Sequence, residues 1–274
     1  VTLRARSRLA QVFAKTRTEN RKALVIYLTA GDPDFDTSLR LMMAARNGGA
    51  DIIELGIPWS DPSADGPAIQ AAMERARKTG GGLSATLELC RRIRENDPEL
   101  PLVLFGYANP IVVRGAAVFA QEARMVGADA MLCVDWPADS DPELANALKA
   151  EGLDLISLIA PTSTPSRIIA ANHHAGGFLY YISMTGITGG KFVDMDTARS
   201  RIDDIRTLTQ GRLPVVIGFG ISTPLDVRKA ASVADGVVIG SAAVRVIENA
   251  LQKGNDPAPL LEAYVRSLRN ALSS

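Results

Sequence analysis

The chain has 274 residues, 47% of them hydrophobic and 22% charged, with 30 basic residues against 30 acidic ones. That balance is ordinary for a globular protein and lacks the basic excess expected of a nucleic-acid binder. No run of about 18 uncharged apolar residues occurs, so no membrane span is expected.

The opening segment, VTLRARSRLAQVFAKTRTENRK, alternates polar and apolar residues at helical spacing without a continuous apolar stretch. It predicts an extra N-terminal helix rather than a secretory signal. Short apolar runs then follow at residues 23–29, 50–55, 102–106, 130–134, 153–159, 178–182, 214–218 and 236–239. Several are rich in Val, Ile and Leu, as strands buried on both faces should be. Amphipathic stretches separate them at 35–47, 68–78 with 83–96, 116–126, 142–151, 165–173, 195–209 and 224–231. The last strand is followed by two more, 241–251 and 260–272. Thr164-Pro165 and Thr223-Pro224 each put a polar cap before a proline in the first helical turn.

Strand–helix alternation repeated eight times predicts one closed (β/α)8 TIM barrel over residues 1–274, with extra helices at the N-terminus and after strands two and eight. An open doubly wound sheet is the alternative. Cys90 and Cys133 have no metal-site spacing and read as free buried thiols, which fits a cytoplasmic chain.

A barrel builds its active face from the loops after its strands. Here those loops are long and rich in Gly, Asp, Ser and Thr, whereas the opposite turns are short, as at Gly48-Gly49. Residues 54–67, ELGIPWSDPSADGP, bring Glu54, Asp61 and Asp65 together. Strand period two turns Glu54 into the barrel mouth if Ile53 and Leu55 face the helices. A carboxylate there is costly unless it is paired, hydrogen-bonded or held neutral. A structural Glu paired with Lys or Tyr is the competing reading, and Asp65 before Gly66-Pro67 also suits a plain turn. Asp61 before Pro62 suits a turn or a partner contact.

Two Gly-rich loops, Gly218-Phe219-Gly220-Ile221-Ser222 and Gly240-Ser241, each leave a late strand and open a helix. Such loops cradle phosphate with main-chain N–H groups, although tight-turn geometry alone also requires glycine. Gly189-Gly190 would close over them. His173 and His174 fall at the opposite end of the barrel, so proton transfer is left to carboxylates, tyrosines or substrate.

The motifs LTAGDP (28–33), ELGIPWSDPSADGPAIQ (54–70), YANP (107–110), APTSTP (160–165), YISMTGITG (181–189), GFGIST (218–223) and GSA (240–242) stand in barrel order. On these the chain resembles the tryptophan synthase α-subunit family over nearly its whole length. The resemblance implies retro-aldol cleavage of indole-3-glycerol phosphate to indole and glyceraldehyde 3-phosphate, with no cofactor and no metal. It implies that Glu54 is the acid–base group and that Asp65 hydrogen-bonds the indole N–H. It implies that Tyr27 and Phe105 line the indole slot, that Tyr180 is a substrate-binding tyrosine near the glutamate, and that Gly189, Gly218, Gly220, Gly240 and Ser241 fall at the phosphate-binding loops. The implied partner is a β subunit in an α2β2 tetramer, touched near Asp61 and residues 107–110.

Ser63, Trp59, Trp136 and the loop GGKFVDMDTARS depart from the family's usual forms. A stand-alone lyase and a non-catalytic barrel that activates a β subunit remain as alternatives. An isomerase acting on another phosphosugar would share the phosphate loops but not the paired acids.

Overall fold

The computed structural model describes residues 7–136, 142–182, 194–218 and 220–272. Its strands are β1 (Ala23–Thr29), β2 (Ile52–Gly56), β3 (Leu102–Gly106), β4 (Ala130–Cys133), β5 (Asp154–Leu155), β6 (Ser157–Ile159), β7 (Leu179–Ile182), β8 (Val215–Gly218) and β9 (Gly236–Ile239). All pairings are parallel, in the order β5-β4-β3-β2-β1-β9-β8-β7-β6. The two ends of that order are consecutive in the chain. β5 and β6 are halves of the run expected at 153–159: the first half pairs with β4 and the second with β7. Between them Ile156 donates its N–H to the Met131 carbonyl at 2.9 Å. The alternative of an open doubly wound sheet is therefore set aside.

The helices are α1 (Arg8–Thr18), α2 (Phe35–Asn47), α3 (Pro67–Lys78), α4 (Leu83–Asn96), α5 (Ala108–Arg114), α6 (Ala116–Met125), α7 (Glu143–Glu151), α8 (Pro165–His174), α9 (Met195–Leu208), α10 (Pro224–Ala231), α11 (Ser241–Gln252) and α12 (Pro257–Ala271). Thr164 and Thr223 cap α8 and α10 as their sequences predict, and Thr223 forms a reciprocal capping box with Asp226. Two helices differ from expectation. α12 starts at Pro257, earlier than residue 260, because Asp256 accepts the Ala258 N–H. α5 occupies the segment read as a YANP loop, and its first N–H, on Ala108, is held at 2.7 Å by Asp135 from the end of β4.

Strand alternation divides the apolar residues into two bodies. Ile53 and Leu55 pack in the layer between sheet and helices. Val25, Tyr27, Ile52, Val103, Phe105, Tyr180, Val216 and Val238 fill the barrel interior. α1 closes the lower end, where Leu9 and Phe13 enter that interior and the Phe13 and Phe178 rings lie 5.8 Å apart.

Acids at the strands' starts hold the lower rim. Asp51, Asp129 and Asp235 each accept a main-chain N–H from a neighbouring strand, on Leu24, Leu102 and Val215 respectively. Each also binds arginine: Asp51 meets Arg21 and Arg269, Asp129 meets Arg8 and Arg94, and Asp235 meets Arg206.

Two glycines let two tyrosines into the upper interior. A Cβ on Gly56 would overlap the hydroxyl of Tyr27, and one on Gly218 would overlap that of Tyr180. Overpacking of this kind costs roughly 1–3 kcal/mol. Gly56→Ala should lower unfolding stability in urea by about that much. The ring carbons of Tyr27 would also overlap that Cβ, at 2.5 and 2.7 Å, so combining Gly56→Ala with Tyr27→Leu, which removes the ring, should cost less than the sum of the two single losses. Strictly additive losses would show that the overlap is not the cause.

Candidate active site

At the upper end of the barrel a cavity of about 300 Å3 opens above the interior side chains. It is of the size that holds a small ligand. Tyr27, Glu54, Asp65, Phe105, Tyr180, Gly220, Gly240 and Ser241 all line it. The structure thus brings together eight of the site residues named from sequence. Gly218 is not among the lining residues; it accommodates the Tyr180 ring instead. Gly189 lies outside the described residues.

Glu54 is carried by the alternation of β2, beside Tyr27 of β1 and Val103 of β3. It is fully buried, and neither carboxyl oxygen has a hydrogen-bond partner among the described residues. The structural alternative, a Glu held by Lys or Tyr, is not what the geometry displays. Burial favours the neutral form and pushes its pKa up to about 8. At neutral pH the group is mostly protonated and ready to donate.

Asp65 comes from the loop just before α3. The turn is fixed by its own N–H to the Pro62 carbonyl, and by Gln70 Nε2, which donates to the Asp65 carbonyl at 2.8 Å. Its carboxylate accepts one strong bond, from the Tyr107 hydroxyl at 2.6 Å. Burial raises its pKa to about 6, against the opposing pull of that bond. Asp65 is therefore mostly ionised at neutral pH while Glu54 is not. Environments that separate two carboxyls in this way divide acid from anion in one site. Burial, together with the charges of both acids, pushes the phenols of Tyr27 and Tyr180 well up, so both rings stay neutral beside them. Tyr27 and Phe105 meet edge to face at 5.1 Å, giving the cavity an apolar wall.

The opposite end is built from main chain. Gly220, at φ 74°, turns the loop after β8. That loop is pinned by Asp226, which accepts the Ser222 and Thr223 N–H groups, and by Tyr264, which donates to the Ser222 carbonyl at 2.7 Å. α11 starts at Ser241 with no side-chain cap and no acid in its first turn. Uncapped N–H groups at a helix start favour an anion.

Sequence reading overlooked two lining or supporting residues. Tyr107 was assigned only to a partner-contact loop, yet period two from inward-facing Phe105 points it into the mouth. Arg245 lines the cavity from α11, four residues beyond Ser241 and so on the same helix face. Of the family departures, Trp59 packs on the interior body and Trp136 on the outer one, and neither lines the cavity. Asp61 is exposed and does not line it either. His173 and His174 end α8 at the lower face. Among the described residues, no cluster of three His, Cys, Asp or Glu could hold a metal ion, and no helix is long and apolar enough to cross a membrane.

The comparisons with known proteins agree with one another. The family model described as tryptophan synthase alpha chain matches residues 13–273. The chain is 42% identical over 267 residues to the tryptophan synthase alpha chain of Zymomonas mobilis, covering 97% of each. It is 44% identical over 266 residues to that of Burkholderia thailandensis, again covering 97% of each. Among solved structures, the tryptophan synthase subunit alpha of Legionella pneumophila superposes with a TM-score of 0.90 at 35% identity, over 98% of this chain and 99% of that one.

The burial of Glu54 sets a pH dependence of stability. Its folded pKa of about 8 lies above the reference carboxyl value of 4.5, so the folded state keeps a proton that the unfolded state releases. Stability should therefore fall as pH rises through that window. Glu54→Gln removes this slope. Urea midpoints at pH 5.5 and 8 should converge in the variant relative to the parent chain, and an unchanged difference would contradict the raised pKa.

Proposed function

The chain belongs to the tryptophan synthase alpha chain family, and we propose that Glu54 and Asp65 carry its reaction in the upper cavity. The activity itself is that of a carbon–carbon lyase in tryptophan biosynthesis, which cleaves indole-3-glycerol phosphate to indole and glyceraldehyde 3-phosphate. The observation that carries the assignment is Glu54: fully buried, unpartnered at both oxygens, and sharing a cavity with a differently tuned acid.

Indole is a poor carbon leaving group until C3 is protonated, which moves positive charge onto N1. Neutral Glu54 donates that proton through one oxygen. The carboxylate so formed then takes the proton of the side-chain hydroxyl on the carbon attached to C3. As that hydroxyl becomes the aldehyde carbonyl, the carbon–carbon bond breaks and its electrons restore the indole ring. Glu54 ends protonated, as it began. Asp65 accepts the N1–H and offsets the charge that develops there, while Tyr107 holds the carboxylate in place. Tyr27, Phe105 and Tyr180 form the slot for the ring. Gly220, Gly240 and Ser241 present main-chain N–H groups to the phosphate, and Gly189 would add to them.

The partner in this reading is a β subunit, in an α2β2 assembly in the cytoplasm. Support comes from the rim: Asp61 is exposed, and α5 turns Val112 and Val113 outward, 61% and 81% exposed, next to the mouth. Apolar side chains left in water at such a place suit a protein interface.

The test is glyceraldehyde 3-phosphate formation from indole-3-glycerol phosphate, with and without a β subunit. Glu54→Gln and Asp65→Asn should each lower kcat by roughly 10²–10⁴-fold. Near-normal turnover in either would remove that residue from the mechanism. Tyr107→Phe deletes a bond that holds the Asp65 pKa down, so the acidic limb of the kcat/KM profile should move to higher pH. A limb that stays put would mean that ionised Asp65 is not the species that works.

A further inference from the structure

The cavity is electrically lopsided. Glu54 and Asp65 are its acidic side chains, and Arg245 is the one cationic side chain among the described residues that line it. Arg245 lies on α11 one turn beyond Ser241. Helical side chains lean toward the N-terminus of their helix, so a residue covers the turn before its own Cα. Arg245 accordingly lines the same cavity as Gly240, Ser241 and Ala242 at the start of α11.

An exposed arginine on a helix is ordinarily a solvated surface charge, often tied to an acid three or four residues away. Arg245 is exposed, but among the described residues it has neither an ion pair nor a hydrogen bond. Glu248, three residues on, lies 3.5 Å from Arg75 instead. Arg75 in turn grips buried Asp32 through two bonds of 2.8 and 3.0 Å. The nearest acid on the helix is thus already occupied. The charge of Arg245 is felt instead by the phenol of Tyr264, the side chain that pins the Ser222 carbonyl of the Gly220 loop. Arg245 therefore shares the cavity wall with residues of both main-chain loops, Gly220 and Gly240 among them, and its donors make no hydrogen bond among the described residues.

From this placement we infer that Arg245 binds the phosphoryl group of the substrate and sets the preference for a phosphorylated over an unphosphorylated side chain. The inference rests on the reaction occurring in this cavity. Backbone N–H groups alone present partial charges, whereas the ligand's phosphate is doubly charged near neutral pH. A guanidinium adds a full charge and a planar pair of donors that fit phosphate oxygens. It also offsets the repulsion that two carboxyl groups in the same cavity exert on an incoming anion.

The reverse reaction separates the two ends of the site, because indole and glyceraldehyde 3-phosphate enter as distinct substrates. Condensation is followed in the assembled enzyme with the parent chain, Arg245→Gln and Arg245→Lys. Arg245→Gln should raise KM for glyceraldehyde 3-phosphate about tenfold, as loss of one charged hydrogen-bonding group at a partly exposed site predicts. KM for indole should move less than twofold. Arg245→Lys should regain most of the loss, since it restores charge if not the paired donors. Inorganic phosphate, used as a competitor, should inhibit Arg245→Gln less than the parent. An unmoved KM for glyceraldehyde 3-phosphate would overturn the inference. So would equal rises in both KM values, which would indicate a general distortion of the barrel mouth. Failure of the site assignment would look different: turnover would then survive in Glu54→Gln, whatever Arg245 does.

Discussion

A carboxyl group buried with both oxygens unpartnered is the constraint around which this barrel is organised. Removing such a group from water without compensation is unfavourable, and the loss is limited here because burial also keeps Glu54 protonated. A hydrogen-bonding partner would have relieved the cost and, in doing so, would have filled the oxygens that the proposed reaction uses. The interior around Glu54 offers rings and methyl groups instead: Tyr27 and Val103 on the flanking strands, with Phe105 and Tyr180 nearby. Gly56 and Gly218 exist as gaps into which the two tyrosines fit. The neutrality of Glu54 is thus a property of several strands at once.

The lower rim makes the contrast plain. Asp51, Asp129 and Asp235 are acids at strand starts, and each is tied to a neighbouring strand's N–H and to arginine. Those carboxylates act as fasteners, and their charge is spent on the fold. Toward the upper rim Glu54 of β2 has no hydrogen-bond partner among the described residues and Asp65 receives the Tyr107 phenol. The same chemical group is structural at one end of the barrel and, in the proposed reaction, does the chemistry at the other, and what differs is how many donors the chain supplies. The Asp32–Arg75–Glu248 chain has an intermediate role: it ties the loop after β1 to α3 and α11, the two helices whose starts frame the cavity.

Most of this was legible in the sequence because it depends on local pattern. All strand runs fell within two residues of their observed limits, since parallel strands buried on both faces read as apolar blocks. The inward aim of Glu54 followed from period two alone. What escaped is what distant residues decide. The sequence of α5 reads as a loop because the group that holds its first N–H, on Ala108, is Asp135, 27 positions away and just beyond β4. Gly218 was assigned to phosphate because it stands in a glycine-rich loop, yet its neighbour is the Tyr180 ring from the adjacent strand. Tyr107 and Arg245 were within reach of the same periodicity rules that found Glu54. In sequence, Tyr107 stands in the YANP segment beside Asn109 and Pro110, and a single arginine on a helix carries no pattern that marks it as other than a solvated charge.

The polarity of the cavity bears on how a substrate must enter. Two like charges about 4 Å apart near a protein surface repel by roughly 4 kcal/mol. A ligand seated backwards would set its phosphate against ionised Asp65 and strip the α11 start of its anion. It would also place the ring of indole against main-chain N–H groups that an apolar ring leaves unsatisfied. Correct seating reverses every one of these terms, with the ring against Tyr27 and Phe105 and the phosphate against α11. In the proposed reaction, orientation would therefore be decided by this charge difference before any proton moves.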